Sequence, residues 1–167
     1  MRKLYIAALG LVILPATGCM LMKYSPGELR TLPEDEWIDS RISIVQRENI
    51  GQSLAEVSGA TVGTYVKDQE THTDTLLYMN VFFIPQNSTD TIKLYSDDDG
   101  LYKARLSPGK YNLHVDNPGF CKISAEGIVL EAGDRKRIDI LMGQGRGTNR
   151  YIVNPEGTTE KVQDKRR

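Results

Sequence analysis

The chain has 167 residues, 40% of them hydrophobic, and a formal net charge of −1. That composition supplies one ordinary core and excludes wholesale disorder. So weak a charge balance gives no global attraction to nucleic acid and no bias toward an acidic substrate.

Arg2 and Lys3 open the chain, and an apolar run follows from Leu4 to Ala16, interrupted only by Gly10 and Pro15. A bilayer span needs ~20 apolar residues, so this run is too short to be one. A basic start, a short apolar core and small residues before a cut form the pattern of a secretory signal, here Met1–Gly18. The small residues lead directly into a cysteine, Ala16-Thr17-Gly18-Cys19. The stretch resembles the lipobox of bacterial lipoproteins, with Ala16 where leucine is more usual. That resemblance implies cleavage before Cys19, a diacylglyceryl group on its sulfur and a fatty acyl chain such as palmitate on the new amine. Several chains at roughly 0.8 kcal/mol per buried CH₂ hold a protein stably on a membrane where one would be marginal. The alternative is an ordinary signal peptide with a nearby cysteine, or an uncleaved anchor. Removing Arg2 and Lys3 with the leader moves the formal charge from −1 to −3. Met20-Leu21-Met22 carries no aspartate retention signal, which points to the outer membrane rather than the inner one.

Met20–Gly27 reads as a tether closed by the turn Ser25-Pro26-Gly27. Thr31-Leu32-Pro33-Glu34 has the spacing of a capping box. Ile38, Ile42 and Val45 follow at helical spacing beside Trp37, which predicts a short helix over Glu34–Arg47. Ile42 and Ile44 also alternate around Ser43 as a strand would. Residues 19–56 are thus expected to form a tether, this helix and a connection.

From Val57 the pattern turns to β. Val62–Val66, Leu77–Ile84, Thr91–Tyr95, Leu101–Leu106, Tyr111–Val115, Lys122–Leu130 and Arg135–Met142 are short runs rich in Val, Ile, Tyr, Thr and Phe. Good turn chemistry separates them, including Asp-Asp-Asp-Gly and Ser-Pro-Gly-Lys. Tyr111–Val115 and Ile138–Ile140 alternate apolar and polar side chains, as sheets with one solvated face do. The expectation is an all-β chain whose domain, residues 57–142, is a small seven-strand β-sandwich. Gly143-Gln-Gly-Arg-Gly147 then reads as a linker, lacking the Lys-Ser/Thr ending of a phosphate loop. Residues 143–167 carry six basic and three acidic side chains and are expected to be a flexible polar tail, with Tyr151–Val153 as one further strand candidate.

Several elements of this β region match a known pattern. They are Gly63–Thr71 with Leu77–Val81, then Ser96-Asp97-Asp98-Asp99-Gly100-Leu101-Tyr102, Ser107-Pro108-Gly109-Lys110-Tyr111 and Gly119-Phe120. In order and spacing they resemble carboxypeptidase regulatory-like domains over about half the chain, with mild departures at Ser96 and Phe120. The resemblance implies a transthyretin-like (prealbumin-like) sandwich. It also implies a folding, spacing or binding appendage rather than an enzyme. Most of these residues have structural reasons to be present. Gly100 and Gly109 are expected at turns needing positive φ. Asn80 and Asp97 can bond nearby backbone, and Tyr111 can pack on the core while its hydroxyl reaches a backbone partner.

Candidate chemistry is sparse. With Cys19 assigned to lipid, Cys121 is alone in an oxidising compartment, either a reactive thiol or a buried small hydrophobe, and burial is the expected state. His72 and His114 are the two histidines, and the cysteines are not clustered, so zinc is not expected. Asp97-Asp98-Asp99-Gly100 is the densest carboxylate cluster and makes Asp97 and Asp99 candidates for calcium, but no glutamate follows at the EF-hand distance, so a solvated hairpin turn is expected. Ser96 or Ser107 can be combined on paper with His114, yet neither lies in a nucleophile elbow. No cofactor is implied. The reading is a non-enzymatic accessory or interaction module of the cell envelope, anchored through Cys19, whose partner is an envelope protein or glycan. Two alternatives stand beside it. One is a carbohydrate- or peptide-binding sandwich using Trp37 and exposed tyrosines, and the other a structural lipoprotein of an envelope or secretion machine.

Overall fold

A computed structural model describes residues 31–46 and 49–162. The leader, Cys19 and the tether Met20–Gly27 lie outside the described residues. Among the described residues eleven strands are formed: β1 (Arg41–Gln46), β2 (Ala55–Lys67), β3 (Glu70–Thr75), β4 (Asn80–Pro85), β5 (Ile92–Tyr95) and β6 (Leu101–Leu106), then β7 (Gly109–Asp116), β8 (Lys122–Leu130), β9 (Arg135–Gly143), β10 (Thr148–Val153) and β11 (Thr159–Val162). The chain is all-β, and its two sheets make a sandwich. The first sheet runs β1-β9-β2-β3, with β6 also paired to β2, and the second runs β11-β10-β8-β7-β4-β5. Pairing is antiparallel except for β2 with β9 and β8 with β10.

The core follows from period-2 alternation. Val57, Ile138, Ile140 and Met142 of the first sheet face Val81, Phe83, Leu113, Val115 and Ile123 of the second, and all are essentially inaccessible to solvent. Burying each such side chain contributes roughly 1.5–3 kcal/mol.

Three sequence expectations need correction. Among the described residues of the expected helix Glu34–Arg47, those up to Gln46, no α-helix forms. One 3-10 turn occupies Glu34–Glu36, and Arg41–Gln46 pairs with Lys136–Leu141 as β1. Helical spacing lost to tertiary pairing, because β9 offers an open edge and β1 places Ile42 in the core with Ile44 packed against it. The sandwich is also not confined to residues 57–142, since β1, β10 and β11 belong to its sheets. The expected flexible tail from Gly143 is therefore folded as far as Val162. Finally, Gly109 is not in a positive-φ turn. It is the first residue of β7 and pairs with Leu130. Gly100 does have positive φ, at 70°, and a Cβ there would lie 2.2 Å from Thr75 Cγ2.

One edge of β2 is shared end to end. Ala55–Ala60 pairs with β6, and Val62–Lys67 pairs with β3. Thr61 stitches the junction: its fully buried hydroxyl lies 2.5 Å from Leu76 O and 3.0 Å from Gly100 O. The β2–β3 hairpin turns through Asp68 and Gln69, whose φ values of 51° and 69° fit a two-residue primed turn.

Candidate functional site

The chemistry-bearing residues named above have mostly structural employment. The Ser96 hydroxyl is buried, donating to Leu76 O at 3.1 Å and accepting from Met79 N at 2.9 Å. Asp97 Oδ1 accepts from its own turn, from the amides of Asp99 (3.0 Å) and Leu101 (2.8 Å). Asp98 accepts from the Tyr78 hydroxyl. No group of three or more His, Cys, Asp or Glu side chains among the described residues could hold a metal ion. Ser107 contributes its backbone carbonyl, which accepts from the Tyr111 hydroxyl at 2.7 Å. His114 lies across from Phe82 and Ser124 on the outer face of the second sheet, its ring centroid 6.2 Å from that of Phe82. Among the described residues no hydrogen bond joins it to either serine. Asn80 departs from expectation: its Oδ1 is buried without a hydrogen-bond partner among the described residues.

Trp37 and the most exposed tyrosine, Tyr95, do not come together. Tyr95 is 58% exposed on β5, and Lys93 reaches over both its ring and that of Phe82, at 4.8 and 5.5 Å. Trp37 is elsewhere, beside Cys121 and β10. At ~4.8 Å per strand, the four spacings from β5 to β10 put about 19 Å between them, so they form no single platform.

Trp37 and Cys121 meet where the chain crosses from one sheet to the other. The crossing segment is Gly143–Gly147, and it is a packed seam rather than a loose linker. Cys121 N donates to Gly143 O at 2.7 Å, Lys122 N to Gly147 O at 2.8 Å, and Gly145 N to Gly119 O at 3.0 Å. Gln144 is buried, its Oε1 accepting from Val66 N at 2.7 Å. The glycines serve close approach. A Cβ on Gly143 would lie 2.2 Å from Ile38 O, and one on Gly145 would lie 2.5 Å from Cys121 Sγ and 2.9 Å from Trp37 Cγ. Ser40 locks the same seam. Its hydroxyl donates to Cys121 O (2.7 Å) and accepts from Gly143 N (2.8 Å), and its carbonyl accepts from the Tyr151 hydroxyl.

A cavity of about 350 Å³ opens beside this seam, lined by Glu34, Trp37, Asp39, Cys121, Thr148 and Asn149. The indole is positioned by Nε1, which donates to Leu32 O at 3.1 Å. Asp39 forms an ion pair with Lys161 of β11. Cys121 is a free thiol, 3% exposed, and burial pushes its pKa up while a hydrogen bond with the Gly147 backbone opposes that. Sequence reading singled out Trp37 and Cys121 separately. It missed Asp39, Thr148 and Asn149, the last two because they follow the glycines and read as tail.

Compared with protein-family models, curated proteins and solved structures, the chain matches none.

Proposed function

We propose that the protein is a lipid-anchored, non-enzymatic interaction module of a bacterial cell envelope, held through Cys19 on the outer membrane. The observation that carries this reading is the sequence Ala16-Thr17-Gly18-Cys19 directly after a basic start and a short apolar run. In the sequence the tether Met20–Gly27 follows, and the sandwich beyond it takes β1 into one sheet and β10 and β11 into the other. The conformational work done by the candidate groups supports a binding role over a catalytic one. Ser96 and Asp97, the residues nearest to a nucleophile and an acid in the sequence, spend their polar atoms on local backbone. The order of the Asp97–Gly100, Ser107–Tyr111 and Gly119-Phe120 elements supports reading the sandwich as carboxypeptidase regulatory-like.

The test is metabolic labelling with a clickable fatty acid. Wild-type protein should take up label and partition with membranes, whereas Cys19→Ser should do neither. Label that persists on the variant refutes anchoring through this cysteine.

A further inference from the structure

Among the described residues every edge strand but one carries a basic side chain. The edge strands are β1, β3 and β6 of the first sheet and β5 and β11 of the second. Arg41 stands on β1, Lys103 on β6, Lys93 on β5 and Lys161 on β11. Lysine on an edge resists pairing with a further strand, as do proline and bulges. β3, Glu70-Thr71-His72-Thr73-Asp74-Thr75, has no lysine, arginine or proline, and its pairing with β2 runs without a register shift. Its two carboxylates repel a further strand only where they meet their own kind.

The hairpin fixes which backbone groups of β3 are open to pairing. Asp68 and Gln69 make a two-residue turn, so Lys67 and Glu70 close it with their backbone groups toward each other. Alternation turns those of His72 and Asp74 to β2 as well. Leu76 continues the series, its N–H donating to Thr61 O at 2.9 Å. The N–H and C=O groups of Thr71, Thr73 and Thr75 therefore point away from the sheet, and all three residues are exposed. A second copy of β3 meets them about a two-fold axis at Thr73. Thr73 then faces its own copy and Thr71 faces Thr75, each pair exchanging two backbone bonds. In this register His72 falls opposite Asp74 on both sides of the axis, and no carboxylate faces another. Tyr65 holds both of those side chains. Its ring stacks on His72 with centroids 5.7 Å apart, and its hydroxyl donates to Asp74 Oδ2 at 2.5 Å. An axis at Thr71 would run the pairing into the hairpin turn, and one at Thr75 would run it past the end of the strand.

We infer that two copies of this protein pair through β3, antiparallel about Thr73, and join their first sheets into one. The inference rests on the proposed anchoring in one respect. Pairing five residues buries far less than the ~1,200–2,000 Å² of a stable interface. The dimer therefore depends on anchored copies being concentrated in one membrane.

The experiment uses the full lipoprotein in phosphatidylcholine vesicles, with exposed residues replaced singly by cysteine and a two-carbon bis-maleimide added. Thr73→Cys should give linked dimers, mapped by peptide to position 73 and not Cys121. Their yield should be at least tenfold that of Lys110→Cys, exposed on β7 of the other sheet. Thr71→Cys alone should link poorly, since its copy stands four positions along the strand, about 13 Å. Thr71→Cys mixed with Thr75→Cys should link well. Adding Thr73→Pro to both should abolish that mixed linkage, and it costs no bond to β2, because the N–H it removes points outward. In wild-type protein the amides of Thr71, Thr73 and Thr75 should exchange hydrogen at least fivefold faster after twentyfold dilution with lipid, a readout that needs no variant. A Thr73→Cys yield no higher than that of Lys110→Cys overturns the inference, as does equal linkage by Thr71→Cys alone or linkage that survives Thr73→Pro. Exchange that ignores dilution also overturns it: slow throughout, another occupant holds the edge; fast throughout, nothing does. Fatty-acid labelling judges the anchor separately, and if the protein proves unlabelled the same linkages at millimolar protein in solution decide the pairing.

Discussion

The parallel pairing of β2 with β9 is interrupted at Gly59 and Ala60, and side chains fill in for the missing ladder bonds. Ala60 N donates to Asp139 Oδ1 at 3.0 Å, and Ile138 O accepts from the Tyr102 hydroxyl at 2.6 Å. Gly59 permits this, because a Cβ there would lie 1.9 Å from Ile138 O. Tyr102→Phe removes one oxygen atom and leaves the volume unchanged, so its cost is that of stranding a buried carbonyl, about 1–3 kcal/mol. Unfolding entropy of about 2.1 cal/mol/K per residue gives roughly 0.27 kcal/mol/K for a folded unit of roughly 130 residues. The expected loss in Tm is therefore about 4–11 °C, read by far-ultraviolet circular dichroism. Tyr111→Phe is the control. Its hydroxyl also bonds a backbone carbonyl, but that carbonyl belongs to exposed Ser107 and can be rehydrated, so the loss should be smaller, ~0.5–1 kcal/mol. If Tyr102→Phe melts with the wild type, or above Tyr111→Phe, the ladder-repair argument is wrong.

Two further outcomes follow from the same packing. Gly143→Ala should destabilise by about 1–3 kcal/mol, since its Cβ meets the backbone carbonyl of Ile38; a flexible linker would instead gain ~0.4–1 kcal/mol from the same change, so urea titration decides by sign. Burial, with a smaller contribution from Asp139, holds the Tyr102 proton far above the ordinary phenol value of 10.0. The unfolded chain therefore releases that proton first, and stability, fully present below pH ~10, should fall above it by ~1.4 kcal/mol per pH unit. Tyr102→Phe should flatten this slope in pH-dependent denaturation, and an unchanged slope refutes the assignment.

The fold was legible where strands carry their own turn chemistry. Leu101–Leu106 and Lys122–Leu130 stand in the structure with the boundaries read from sequence, because Gly100, Pro108 and the Glu-Ala-Gly-Asp turn punctuate them. The missed strands lack such marks. β3 reads Glu-Thr-His-Thr-Asp-Thr, with no apolar face, and its hairpin turns through Asp68-Gln69 without glycine. It forms because β2 is long enough to outrun β6 and leaves a free edge from Val62 onward. That is a property of the sheet, not of residues 70–75. β1 was ambiguous for a related reason, since Ile38, Ile42 and Val45 satisfy a helical period while Ile42 and Ile44 satisfy that of a strand. Only the partner strand β9 decides, and the consequence is that Val45 ends up 49% exposed.

The candidate site shows the same division more sharply. Asp97 was readable as a turn former and Cys121 as buried, since both depend on neighbours in sequence. Asn149 was not readable as an inward-facing residue. In Thr148–Val153 one alternating set is Asn149, Tyr151 and Val153, and the other is Thr148, Arg150 and Ile152, so hydrophobicity alone does not say which set faces inward. Ile152 makes the second set look plausible, yet it is 53% exposed. Parallel pairing with β8 sets the face, placing Tyr151 opposite Ala125 and Asn149 opposite Ile123, both core residues. That pairing in turn needs Gly143–Gly147 to cross between the sheets in close contact with Ile38, Cys121 and Trp37. Three glycines in five residues look like flexibility in a sequence. Here each of the first two is where another part of the chain comes too near for any side chain, and that closeness is what puts a polar strand residue beside the indole.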